Sequence, residues 1–145
     1  MDNAIFLALF VGFLWGLAPI VHKILLKNID FKLFMVLSSL TFFTCTCLFA
    51  AYFWKDLLAE KKKLNFANVA WIVITAIVTG FIANLIYLFV LKDNKSYVVS
   101  ALIYCSPFFT LALSYLFLKG EKITYIGASG CILITLGVIL IALDT

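Results

Sequence analysis

The chain has 145 residues, of which 66% are hydrophobic and 12% charged, with fifteen phenylalanines and a mean hydropathy of +1.17. A soluble domain of this size could not withdraw that much apolar surface from water, so the ordinary soluble enzyme classes are excluded. The formal net charge is +4, but all eleven basic residues are lysines set mostly between apolar runs. That pattern belongs to solvated loops beside headgroups, not to a nucleic-acid surface.

Five apolar segments follow one another at about 4–26, 33–54, 69–91, 97–118 and 123–143, each with the twenty or so residues that an α-helix needs to cross about 30 Å of hydrocarbon. The fold class expected is an all-α, multi-pass integral membrane protein with one five-helix domain over residues 1–145. The N-terminus, MDNAIF, has no basic stretch, and the first segment is too long for the apolar region of a signal peptide. It is expected to remain in the mature protein.

The first segment contains GFLWGLAPIVHK at 12–23. At 100° per residue, Gly12, Gly16, Pro19 and Lys23 fall at about 0°, 40°, −20° and 20°, one narrow stripe. Glycines let a second helix approach, proline frees a backbone carbonyl, and a charge at membrane depth faces protein or water. This face is therefore expected to look toward a partner or a cavity. Lys23 is near the helix end, where its ammonium can either snorkel to the headgroups or meet an anionic solute.

In the polar turn that follows, Asn28 can end one helix and Asp30 can cap the next. The second segment carries Ser38, Ser39, Thr41, Thr44 and Thr46, hydroxyls that in a membrane helix bond back to the backbone or across to a neighbour. The 55–68 loop, with Lys55, Asp56, Glu60, Lys61, Lys62 and Lys63, is the main hydrophilic stretch.

In the third segment Ala76, Gly80, Asn84 and Tyr87 share a stripe, and the Asn84 carboxamide needs a partner, either a neighbouring helix or a solute. The fourth places Ser100, Tyr104, Pro107, Leu111 and Ser114 on one face, with Tyr104 read either as a packing residue or as a cavity residue. The fifth follows a turn at 119–122 and brings Gly127, Gly130 and Gly137 into an arc of about 80°, a close-packing surface.

Cys45, Cys47, Cys105 and Cys131 all lie in apolar runs and read as small buried hydrophobes, and the thiols of Cys45 and Cys47 point about 200° apart. With one histidine, His22, and no zinc, nucleophile-elbow, phosphate-loop or dinucleotide pattern, the sequence implies no metal, no cofactor and no enzyme activity.

WGLAPIVHKILLKNID in the first segment and turn, together with SYVVSALIYCSPFFTLALSYLFLKGEKITYIGASGCILITLGVIL at the end, resembles the EamA-like repeat of the drug/metabolite transporter superfamily. The likeness rests on Trp15, Gly16, Pro19 and Lys23, on Pro107, on the Gly120-Glu121 turn and on the glycines of the last helix. It implies a transporter of a small organic metabolite or drug, working by alternating access around a central cavity in the plasma or bacterial inner membrane. Members commonly join two such five-helix units in inverted orientation. This chain supplies one, which implies a homodimer in the bilayer.

Two departures bear on mechanism. Ser38 stands where members often carry an arginine. The acidic residue of the first helix in the related small multidrug resistance proteins has no counterpart between Asp2 and Asp30. The substrate-cavity candidates are Gly16, Pro19, Lys23, Asn84, Tyr104 and Pro107. Gly12, Gly80, Gly127, Gly130 and Gly137 are the helix-packing candidates. A membrane scaffold or accessory subunit, packing the same glycine faces on a partner's helices, is the alternative reading.

Five crossings put Lys55, Lys61, Lys62, Lys63, Lys119 and Lys122 on one side and Lys23, Lys27, Lys32, Lys92 and Lys95 on the other. So small a bias leaves two arrangements open, a single topology fixed by the 61–63 cluster or insertion both ways with antiparallel pairing. Cysteine labelling at Asn65, in a variant without the native cysteines, separates them. Labelling from both sides of intact cells supports dual insertion, and strictly one-sided labelling rules it out.

Overall fold

The computed structural model describes residues 2–118 and 124–143. The described residues are helical nearly throughout, in α1 (Asp2–Leu25), α2 (Phe31–Tyr52), α3 (Trp54–Glu60), α4 (Phe66–Thr75), α5 (Ala83–Asp93), α6 (Ser96–Ile103), α7 (Ser106–Phe117) and α8 (Tyr125–Ala142). Among the described residues, five stretches are long and apolar enough to cross a membrane: Ala4–Leu25, Phe31–Tyr52, Phe66–Asp93, Ser96–Phe117 and Tyr125–Ala142. The protein is an all-α, multi-pass membrane protein, as composition and segment lengths require. The expected turn at 119–122, with Gly120 and Glu121, lies outside the described residues.

Segment ends differ from the expected ones by a few residues, and local capping explains where each falls. α1 stops at Leu25, where the chain tightens to bonds three residues back, from the Lys27 N–H to the Ile24 carbonyl at 3.4 Å and from the Asn28 N–H to the Leu25 carbonyl at 3.0 Å. The Asp30 carboxylate then accepts from the Lys32 N–H at 2.9 Å and starts α2. Asn65 does the same for α4 through the Asn68 N–H, and Thr124 for α8 through the Gly127 N–H.

Three features depart from simple straight helices. The 55–68 stretch is structured, containing α3 and a 3₁₀ turn at Lys61–Lys63. The third span passes through a π-helical segment, Ala76–Ile82, between α4 and α5. Seven of the eight residues from Ile72 to Thr79 are β-branched, crowding the preceding turn, and Gly80 follows. The stripe drawn through Ala76, Gly80 and Tyr87 at 100° per residue is therefore displaced across this segment. The fourth span is two helices, since α6 ends at Ile103 and α7 begins at Ser106 with Pro107 in its first turn. Pro107 has no N–H to give the Ile103 carbonyl, so the chain breaks at Tyr104 and Cys105.

The fold contains two compact units. Residues 22–93 form one, in which α2 packs on α5. Leu26, Met35, Leu88 and Leu91 are buried there, Leu91 completely, and the Phe31 and Phe89 rings meet edge-on at 5.9 Å. Residues 1–21 and 94–145 form the other, in which α6 and α7 pack on α8 and the β-branched Val98, Val99 and Val138 are buried. Most remaining large apolar side chains are exposed, as a chain solvated by lipid requires.

Candidate functional site

The α1 stripe enters the 22–93 unit with its last turn. Lys23 donates to the Leu91 carbonyl at 2.8 Å and to the Lys92 carbonyl at 2.7 Å, both at the end of the third span. The last carbonyls of a helix have no intrahelical donor and carry the negative end of its dipole, so an ammonium is their best partner. Lys23 thus caps a helix other than its own.

One residue earlier, the half-buried His22 imidazole holds its Nδ1 3.2 Å from the Tyr87 hydroxyl and meets the Phe34 ring edge-on at 4.9 Å. His22, Phe34 and Tyr87 join α1, α2 and α5, and Lys23 adds the α5 terminus. His22 has a hydrogen-bonding partner that sequence reasoning did not supply. Tyr87 had been placed beside Asn84 by periodicity, but a pairing across 65 residues leaves no trace in one sequence.

Asn84, at the head of α5, donates from Nδ2 to the Gly80 carbonyl inside the π segment at 2.6 Å. The carboxamide is exposed, so its contact within the unit is to its own helix. Thr75 and Thr79 bond back in the same way, to the Trp71 carbonyl at 2.7 Å and the Thr75 carbonyl at 2.8 Å. In α2, Ser38, Thr41, Thr44 and Thr46 donate to Met35, Leu37, Leu40 and Phe42. These hydroxyls take the backbone option of the two that sequence left open.

In the other unit, Pro19 is buried within an unbroken α1, where its missing N–H deprives the Trp15 carbonyl of its usual donor. Tyr104 and Pro107 flank the break of the fourth span and both are half-buried. Cys105 Sγ lies 3.9 Å from Thr135 Oγ1, a weak thiol contact between the break and α8. Cys45 and Cys47, expected to be buried, are exposed, because the middle of α2 has no covering neighbour in its unit.

The glycine faces are open. A Cβ at Gly12, Gly16, Gly80, Gly130 or Gly137 would meet nothing within 4 Å, and one at Gly127 would meet only the Thr124 cap oxygen at 3.2 Å. Within each unit, then, these glycines have no close helix neighbour. Of the six cavity candidates, Gly16, Pro19, Tyr104 and Pro107 belong to one unit and Lys23 and Asn84 to the other.

The chain matches the family model described as the EamA-like transporter family over residues 2–143. It is 28% identical over 145 residues to an uncharacterized protein of Methanocaldococcus jannaschii, with 99% of each chain covered. No solved structure matches.

Replacing Lys23 by methionine keeps the stem and removes the donors, and should destabilise the folded protein by about 1.5–3 kcal/mol, the range for hydrogen bonds that involve a charged group. Arginine should recover part of that. Unfolding in a denaturing detergent titration measures both. A methionine variant as stable as the parent would show that the cap contributes nothing.

Proposed function

We propose, on the premise that this chain belongs to the EamA-like transporter family, that it is a carrier of a small organic solute, working as a homodimer by alternating access in the cell's bounding membrane. The family match over nearly the whole chain carries this reading. The backbone irregularities support it. Pro19 in the first span, the π segment in the third and the break in the fourth all leave carbonyls with altered or missing donors at membrane depth. Irregular backbone at such depth is tolerated where it lines a cavity or is covered by protein.

In this reading Gly16, Pro19, Asn84, Tyr104 and Pro107 face the solute path, and Lys23 is a positioning residue at its margin. Gly12, Gly80, Gly127, Gly130 and Gly137 supply faces for a second copy. The open glycine surfaces and the exposed Asn84 carboxamide support a partner, because an amide facing hydrocarbon is costly.

Counterflow in proteoliposomes across a panel of radiolabelled metabolites tests the carrier. Saturable exchange of at least one solute is expected. Gly16→Leu should abolish it without loss of folded protein, since no neighbour crowds that position, while Phe13→Leu should keep most of it. No counterflow for any solute would favour the scaffold reading. Equal loss in both variants would remove the stripe from the solute path.

A further inference from the structure

The stretch between the second and third spans contains a groove that the transport reading does not use. Leu57 on α3, Leu64 after the 3₁₀ turn, and Trp71 and Ile72 on α4 form its apolar floor, with Lys61, Lys63 and Asn68 at its polar edge. Its volume is about 540 Å³. Trp71 and Ile72 are 69% and 60% exposed, so protein does not fill the floor.

The charge is one-sided. Residues 55–63 hold four lysines, Lys55, Lys61, Lys62 and Lys63, against two carboxylates, Asp56 and Glu60. Glu60 is taken up by Lys63, with Nζ 2.6 and 2.8 Å from its two oxygens. That pair closes the turn and leaves a local excess of cation beside the apolar floor.

Depth fixes the kind of ligand. Aromatic residues Tyr52, Phe53 and Trp54 mark one approach to the membrane boundary and Phe66 the other. Trp71 lies five residues beyond Phe66, about 7.5 Å along the helix, the level at which headgroups give way to acyl chains. A soluble anion would leave the floor unused, and a zwitterionic lipid would leave the lysines uncompensated. An amphiphile with an anionic head uses both. We propose that this groove binds an anionic phospholipid, its phosphodiester against Lys61 and Lys63 and the first part of an acyl chain along Leu64, Trp71 and Ile72.

The test uses the full chain with Trp15→Phe and Trp54→Phe, leaving Trp71 as reporter, in phosphatidylcholine vesicles containing a fixed small fraction of a lipid with brominated chains. Brominated phosphatidylglycerol should quench Trp71 several-fold more than brominated phosphatidylcholine. Roughly 1 kcal/mol per lysine near an anionic lipid sets a ceiling of about fivefold on each loss, so K61Q and K63Q should each remove part of that preference and the double variant all of it. E60Q, which removes the competing carboxylate, should raise it. Circular dichroism should show the same helix content in every variant. Equal quenching by the two lipids would overturn the proposal, as would a preference that survives the double variant K61Q/K63Q. Loss of the preference on adding millimolar inorganic phosphate would overturn it in favour of a free-phosphate site.

Discussion

Hydrocarbon offers the peptide backbone and polar side chains no hydrogen bonds, and the arrangement of polar groups in this chain answers to that constraint. Two solutions occur in different places. Along the spans, Ser and Thr hydroxyls and the Asn84 amide bond back to carbonyls of their own helices. At the end of the first span, His22 and Lys23 reach instead to another helix, one to a side chain and the other to two orphan carbonyls. Interhelical polar contact in the 22–93 unit is thus concentrated near the boundary, where Leu26, Leu88 and Leu91 are also buried.

Toward the middle of the spans, among the described residues, the polar tie between helices of one unit is the weak Cys105–Thr135 thiol contact. The glycine faces there are open, the π segment and the broken fourth span disturb the backbone, and Asn84 presents a carboxamide outward. Such surfaces suit a solute, a second copy or both. Boundary contacts set helix against helix, while the glycine faces along the spans stay open.

Much of the fold was legible because length and apolarity alone decide how many helices cross a bilayer. Asp30 was legible as a cap, its carboxylate suiting the N–H two residues on. Pro107 announced a disturbance, but periodicity drew a continuous helix where a missing donor produced a break. The π segment was not legible, since β-branched residues and a glycine also occur in straight spans. Lys23 was read as snorkelling or anion-binding, yet its ammonium sits on the carbonyls of Leu91 and Lys92, an acceptor set that carries no side-chain signature. The open state of the glycines could not be read either, because spacing shows which residues share a face and not what covers it.

The account depends most on boundary contacts holding the last turn of α1, from His22 onward, to α5 within the 22–93 unit, and a double-mutant cycle on His22 and Tyr87 measures that directly. His22→Leu, Tyr87→Phe and the double variant are compared with the parent in reversible detergent unfolding. A coupling of about 0.6–1.7 kcal/mol, the scale of hydrogen bonds between membrane helices, is predicted. Effects that add to within about 0.3 kcal/mol would show that the two side chains do not act on one another, and would contradict the account.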